Sequence, residues 1–211
     1  MSFQRARTKD QIENRQDEIL NAALELFDEM EYEAITLRMI SDRTSLSRTT
    51  MYTYYKTKEE IFLDVIKREY LHWIDKLDTA FDSQESFNRQ EYCKIITNTL
   101  YDNANLMRLF SIQQTIIEKN SSLEQLTSFK QETIGLFSTL EKGIRKTFSN
   151  ASAENINLFE VHLMVYVLGY YPNTHPLQKQ IQSMANAGME LPLLDAKGIL
   201  YDGVYLLTSN L

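Results

Sequence analysis

Residues 36–60 read TLRMISDRTSLSRTTMYTYYKTKEE, and their spacing decides the fold of the chain. Thr36 stands where a helix N-cap belongs, ahead of a short segment that turns Met39 and Ile40 inward. The stretch RTSLS, residues 43–47, interrupts it. Ser47 then caps a second short helix, with Met51 and Tyr55 four apart on one face. Thr57, with Glu60 three residues on, has the spacing of a capping box and opens a third helix. That helix is long: Phe62, Ile66, Tyr70, Trp73, Leu77 and Phe81 recur every three or four residues.

Upstream, a long helix begins near Thr8 to Asp10 and ends near Glu31-Tyr32, with Ile12, Ile19, Ala23, Leu26, Phe27 and Met30 on its apolar face. One long helix, two short ones and a tight turn outline a helix-turn-helix unit. Downstream, helices are expected over about 88–102 and 105–118. A further long helix opens at Ser122 with Gln125 and turns Leu126, Phe129, Thr133, Phe137, Leu140 and Ile144 to one side. Ser152 caps another, with Ile156, Phe159, Leu163, Val167 and Tyr171 inward, which YYPNTHPLQ should break. A last helix spans about 195–208. The reading is an all-α chain of about nine helices, with an N-terminal domain over 1–70 and a larger helical domain over 71–211.

Bulk features agree. The first glycine is Gly135 and the first proline Pro172, so 134 residues lack both. Turn-rich β folds recruit these residues, and a phosphate-cradling loop needs glycine, so helices are favoured and nucleotide enzymes disfavoured. With 43% hydrophobic and 24% charged residues, the 211-residue chain has the composition of a globular protein. No stretch approaches the ~20 apolar residues of a membrane span, and the N-terminus lacks a signal-peptide core, so a cytoplasmic location is expected. The lone Cys93 stands among Tyr92, Ile95 and Ile96, as a buried inert thiol would. His72, His162 and His175 are scattered without metal-ligand spacing, and no nucleophile–base pattern supports an enzyme. No metal or cofactor is expected.

The net charge of −7 conceals a pattern. Residues 1–9 carry +3, residues 10–34 carry −8, and residues 35–58 carry +4, from Arg38, Arg43, Arg48, Lys56 and Lys58 against Asp42. Affinity for DNA depends on local phosphate neutralisation, so an acidic chain can bind through a basic face. Arg38 also stands four residues before Asp42, the spacing of an ion pair within one helix.

The segment ILNAALELFDEMEYEAITLRMISDRTSLSRTTMYTYYKTKEEIF, residues 19–62, resembles the tetracycline-repressor (TetR) family signature. The matching positions are Ile19 to Phe27, Thr36, and the block Met51, Tyr52, Tyr55, Lys58 and Glu59. The chain departs from the family at Glu31, where glycine is usual, at Thr44-Ser45-Leu46, often Ala-Gly-Val, and at Ser41, often alanine. The resemblance covers roughly residues 12–66. It implies a regulator of transcription, most often a repressor, that binds a palindromic double-stranded DNA operator as a homodimer and is released by a small-molecule effector.

Matching positions carry the implied roles. Ser47 would cap the recognition helix and present its first-turn N–H groups to a phosphate. Arg48, Thr49 and Thr50 would reach base edges, Arg48 by pairing with guanine. Tyr52, Tyr54 and Lys58 would meet phosphates, while Thr36 and Arg38 contact the opposite groove wall. Tyr55, four residues from Met51, belongs to the core. The resemblance also implies an effector pocket among the C-terminal aromatics, for which Trp73, Tyr101, Phe110, Phe137 and Tyr166 are candidates. Phe129, Phe159 and Tyr170 are further aromatics of the same region, and ordinary core packing is the competing role for each ring. Helices near 153–171 and 195–208 would form the dimer interface; the run LMVYVLGYY, residues 163–171, is apolar all round, as burial on two sides requires. A second reading keeps the fold but not the operator, as an adaptor or nucleoid-associated protein.

Overall fold

A computed structural model describes residues 9–189 and 195–211. The N-terminal arm, with Arg5, Arg7 and the expected Thr8 cap, lies outside the described residues. The described chain is helical, without a strand. It forms two compact units: residues up to 68 together with 115–129, and residues 69–114 together with 130–211.

In the first unit, α1 (Lys9–Glu29) ends before a 3-10 turn at Tyr32–Ala34. Then come α2 (Leu37–Asp42), α3 (Arg48–Tyr54) and the start of α4 (Lys58–Asp82). The interior is built from the expected positions: Ile19, Ala23, Leu26, Phe27, Ile40, Met51, Phe62 and Ile66 are buried. Phe62 meets Phe27 and Tyr32 edge-on, with ring centroids 5.6 and 5.0 Å away. Each such buried side chain contributes about 1.5–3 kcal/mol. Ile12, expected on the apolar face, is exposed instead, because it lies about two turns before the first buried position, Ile19.

In the second unit, α4 continues with Trp73, Leu77 and Phe81 fully buried. Asn88 and Glu91 form a reciprocal capping box that opens α5 (Arg89–Tyr101). Asn103 caps α6 (Ala104–Ile112). A π-helical turn, Gln113–Ile117, and a 3-10 turn, Glu118–Asn120, follow where one helix to 118 was expected, and from 115 to 129 the chain belongs to the first unit.

The long helix expected from Ser122 is two helices, α7 (Leu123–Thr133) and α8 (Gly135–Thr147). Gly135, the poorest helix former after proline, sits at the break. The buried face runs on through Phe129, Thr133, Leu136, Leu140 and Ile144, so Leu136, 2% exposed, belongs to it rather than Phe137, 41% exposed. Further along α8, Gly143 lets the Phe81 ring lie on the helix backbone; a Cβ there would stand 2.4 Å from that ring.

Ser152 caps α9 (Ala153–Thr174) as expected, and Ile156, Phe159, Leu163 and Val167 are buried. The helix continues through Pro172 rather than stopping before it, and Tyr170 rather than Tyr171 is buried at its end. A proline in the last turn forfeits one ladder bond and leaves the rest intact. Then α10 (Gln178–Asn186) forms, a helix absent from the sequence reading, and no residue of it is buried. Finally α11 (Ala196–Leu207) packs against α5 and α9. Among the described residues there are eleven α-helices, against the nine expected.

Candidate nucleic-acid interface

The turn between α2 and α3 is fixed from α1. Glu18 accepts hydrogen bonds from the Ser45 backbone N–H and, at 3.1 Å, from the Ser45 hydroxyl. The Thr44 hydroxyl donates to the Ser41 carbonyl at 3.0 Å and accepts from Leu46 N–H at 3.3 Å. Arg43 reaches back to α1 as well, with Nη1 2.8 Å from Glu29 Oε1 and 3.8 Å from Glu25. The hydrogen bond from Arg43 holds the Glu29 carboxyl below its ordinary pKa. No described non-glycine residue has positive φ. Ser45 and Glu31 therefore replace the family's usual glycines without left-handed backbone. At Ser45 the Glu18 carboxylate holds an alternative turn.

Ser47 caps α3: its Oγ accepts from Thr50 N–H at 3.2 Å, and it lies 2.8 Å from the Thr50 hydroxyl. Thr36 does the same for α2, accepting from Met39 N–H at 3.3 Å, and remains exposed. On α3, Met51 is fully buried, whereas Arg48, Thr49 and Tyr52 are exposed and Thr50 and Tyr54 half-buried. Tyr52, at 53% exposure, is the most open ring of the tyrosine cluster. Tyr55 lies one residue past the helix in extended backbone, yet it is buried and donates its O–H to Asp64 at 2.8 Å. Burial, and then the Asp64 charge, keep that phenol un-ionised far above its ordinary range.

The three cations assigned to DNA all have partners within the protein. Lys58, assigned to a phosphate, donates to the carbonyls of Tyr32 and Ile35 at 2.8 and 2.9 Å. Its ammonium also lies 4.1 Å from the centroid of the Tyr32 ring. Burial lowers its pKa. Lys58 thus caps the 3-10 turn before α2, with two of its three N–H donors directed inward. Arg48 places Nη2 3.0 Å from Asp42, and Arg38 places Nε 3.6 Å from the same carboxylate. One carboxylate therefore faces both arginines assigned to DNA. The Arg38–Asp42 pair was expected from spacing, but the contact of Asp42 with Arg48 and the organising role of Glu18, Glu25 and Glu29 were not. A signal existed: Glu18, Glu25 and Glu29 are spaced by seven and four, so they share one face of α1.

Of the five effector candidates, Trp73 and Phe110 lie together and Tyr101 and Tyr166 both meet α11. Trp73 and Phe110 pack edge to face, 6.3 Å apart, with Tyr70 against both. Trp73 donates its indole N–H to Thr99 at 3.1 Å. These two rings are core, because both are buried, Trp73 completely. Tyr166 donates its O–H to the Ile199 carbonyl of α11 at 2.7 Å, and Tyr101 meets Lys197 of the same helix. Burial pushes the Tyr166 phenol up to about 12. Phe137 is 41% exposed, one residue past the buried Leu136. Phe159 and Tyr170 are buried.

Cys93 is fully buried, and burial raises its thiol pKa. Among the described residues no group of three His, Cys, Asp or Glu is placed to hold a metal. No helix among them is long and apolar enough to cross a membrane.

Two family models match the chain: "Bacterial regulatory proteins, tetR family" over residues 19–65, and "Tetracyclin repressor-like, C-terminal domain" over residues 67–208. The HTH-type transcriptional regulator YfiR of Bacillus subtilis (strain 168) is 29% identical over 101 residues. That match covers 47% of this chain and 49% of the relative, so it spans about half the relative's length. The fatty acid degradation regulator FadR of Bacillus halodurans superposes with a TM-score of 0.62 at 15% identity, over 93% of this chain and 96% of that one. FadR of Bacillus subtilis, solved in complex with stearoyl-CoA, gives 0.55 at 16% identity, over 92% and 98%. These two structures share the fold of this chain. With family models over both its N-terminal helix-turn-helix and its C-terminal helices, the chain belongs to the TetR family of bacterial regulatory proteins.

Proposed function

We propose that the chain is a transcriptional repressor that binds a palindromic operator as a homodimer and releases it on binding a small molecule. Residues 1–70 form the DNA-binding domain in this reading, and residues 71–211 the effector and dimerisation domain. The observation that carries it is the division of α3 into two faces. Met51 is sealed in the core while Arg48, Thr49 and Tyr52 stand open on the solvent side of a helix capped by Ser47. That face has the chemistry for a major groove: guanidinium and hydroxyl donors for base edges, and phenols for phosphates. Thr36, Arg38, Thr50 and Tyr54 complete the contact set at its margins, and the remaining N–H of Lys58 reaches a phosphate. Acting on chromosomal DNA, the protein works in the cytoplasm.

One recognition helix reads few bases, so a two-fold dimer is needed to read two half-sites. Leu158, Val161 and Val165 of α9 and Leu206 of α11 are exposed apolar side chains, and they supply the face for a second copy. The effector enters the C-terminal domain and favours the DNA-incompetent state. Stearoyl-CoA, the ligand of the Bacillus subtilis FadR structure, is the first probe to try.

The test is selection from a random duplex library with the purified protein, followed by gel shift. An enriched sequence with two-fold symmetry is the expected result. Retardation without any enriched sequence would favour a nucleoid-associated protein and overturn the repressor.

A further inference from the structure

We propose that Asp42 is a positioning residue for DNA recognition, whose carboxylate holds Arg48 and Arg38 in the free protein and thereby suppresses non-specific binding. The inference rests on the DNA-binding reading above. Asp42 is the last residue of α2, where the helix macrodipole disfavours an anion. It nonetheless lies beside two guanidinium groups, Arg48 Nη2 at 3.0 Å from Oδ1 and 3.5 Å from Oδ2, and Arg38 Nε at 3.6 Å from Oδ2. Arg43, the next residue, turns away to Glu29 and Glu25 on α1, so it does not compete for this carboxylate.

The geometry separates two kinds of binding. Asp42 engages Arg48 end-on, through one nitrogen, which leaves Nε and Nη1 to meet a base edge or phosphate. In the operator complex the carboxylate can keep that contact and fix the direction of the guanidinium. Non-specific DNA offers only phosphates, and its affinity follows the net charge of the approaching face. There Asp42 offsets the arginines and repels the backbone. A single acidic residue thus costs non-specific DNA more than it costs the operator.

The experiment compares wild type, Asp42→Asn, Asp42→Ser and Asp42→Glu, each checked for helical content. Each is titrated against two probes, the duplex enriched by the wild-type protein and poly(dI-dC), across a salt series. For Asp42→Asn, affinity for poly(dI-dC) should rise about tenfold and affinity for the enriched duplex about threefold or less. The salt slope on poly(dI-dC) should steepen by about one to two per protomer, one for each arginine freed. Asp42→Ser should behave alike, so poor folding of one variant leaves the other to decide, and Asp42→Glu should restore the wild-type slope. Unchanged slopes, or equal changes on both probes, would overturn the proposal while leaving the DNA-binding reading intact. A wild-type protein that enriches no sequence would overturn that reading and the proposal with it.

Discussion

The Ser41 hydroxyl lies buried in α2 without a hydrogen-bond partner among the described residues, in a helix that packs on α1. A buried hydroxyl left unpaired forfeits its hydration without compensation. Ser41→Ala keeps the small volume needed at that crossing and removes the orphan, so it should stabilise the protein by about 1 kcal/mol in urea denaturation. A lower midpoint would show that the hydroxyl has an ordered partner. Lys58 presents the opposite case. Its ammonium satisfies the carbonyls of Tyr32 and Ile35, and Lys58→Met should strand both. A loss of about 1–2 kcal/mol is expected in the same measurement. If Lys58 served phosphate alone, stability would not change while the salt slope of DNA binding fell. Thr36, Ser47 and Thr57 were legible in the sequence because a cap is a local contact at fixed spacing. The inward course of Lys58 was not, since its acceptors lie 23 and 26 residues away.

Among the elements, α9 combines an apolar stripe with a buried acid. Glu160 is 8% exposed, and burial followed by the nearby Glu141 charge raises its carboxyl to about 7. The folded state therefore holds its proton more tightly than the unfolded chain does. Its contribution is fully present below the ordinary carboxylate pKa of 4.5 and is lost as pH rises through about 7. Glu160→Gln should remove this loss, leaving the protein about 1–2 kcal/mol more stable at pH 8 and nearly unchanged at pH 4.5. Thermal melts across that range decide it; parallel wild-type and variant curves would mean that Glu160 titrates normally. The course of α9 was readable from its period, as were α1 and α4. The α7–α8 break was not, because nothing local distinguishes a tolerated glycine at position 135 from one that ends a helix. The exposed α10 escaped for a related reason: it lies between prolines and buries no residue that would give it a clear apolar period.

At the scale of the whole molecule, the proposed function depends on two copies. Val165 stands 67% exposed on α9, between Leu163 and Val167, which are fully buried. Val165→Asp places a charge on the solvent face, where the monomer tolerates it and an apolar interface does not. Sedimentation should show monomers at concentrations where the wild type is dimeric. Operator affinity should fall by about a hundredfold or more as paired half-site binding is lost. A variant that stays dimeric would move the interface elsewhere. Such a result would leave the helix-turn-helix reading standing, because α3 and its caps belong to the other unit.

The sequence by itself determined the helical class, the helix-turn-helix outline and the sealed side of α3, since these follow from caps and apolar periods within a few residues. Tertiary structure alone decided how the charges are spent. Arg43 is tied to α1, Lys58 to carbonyls, and Arg48 to the Asp42 carboxylate that Arg38 already reaches within α2. It also decided which aromatics are core, placing Trp73 and Phe110 against each other and turning Phe137 out. The physical reason is range. A cap or an apolar stripe is set by neighbours in the chain, whereas the partner of a long charged side chain or a ring is set by which elements the fold brings alongside it.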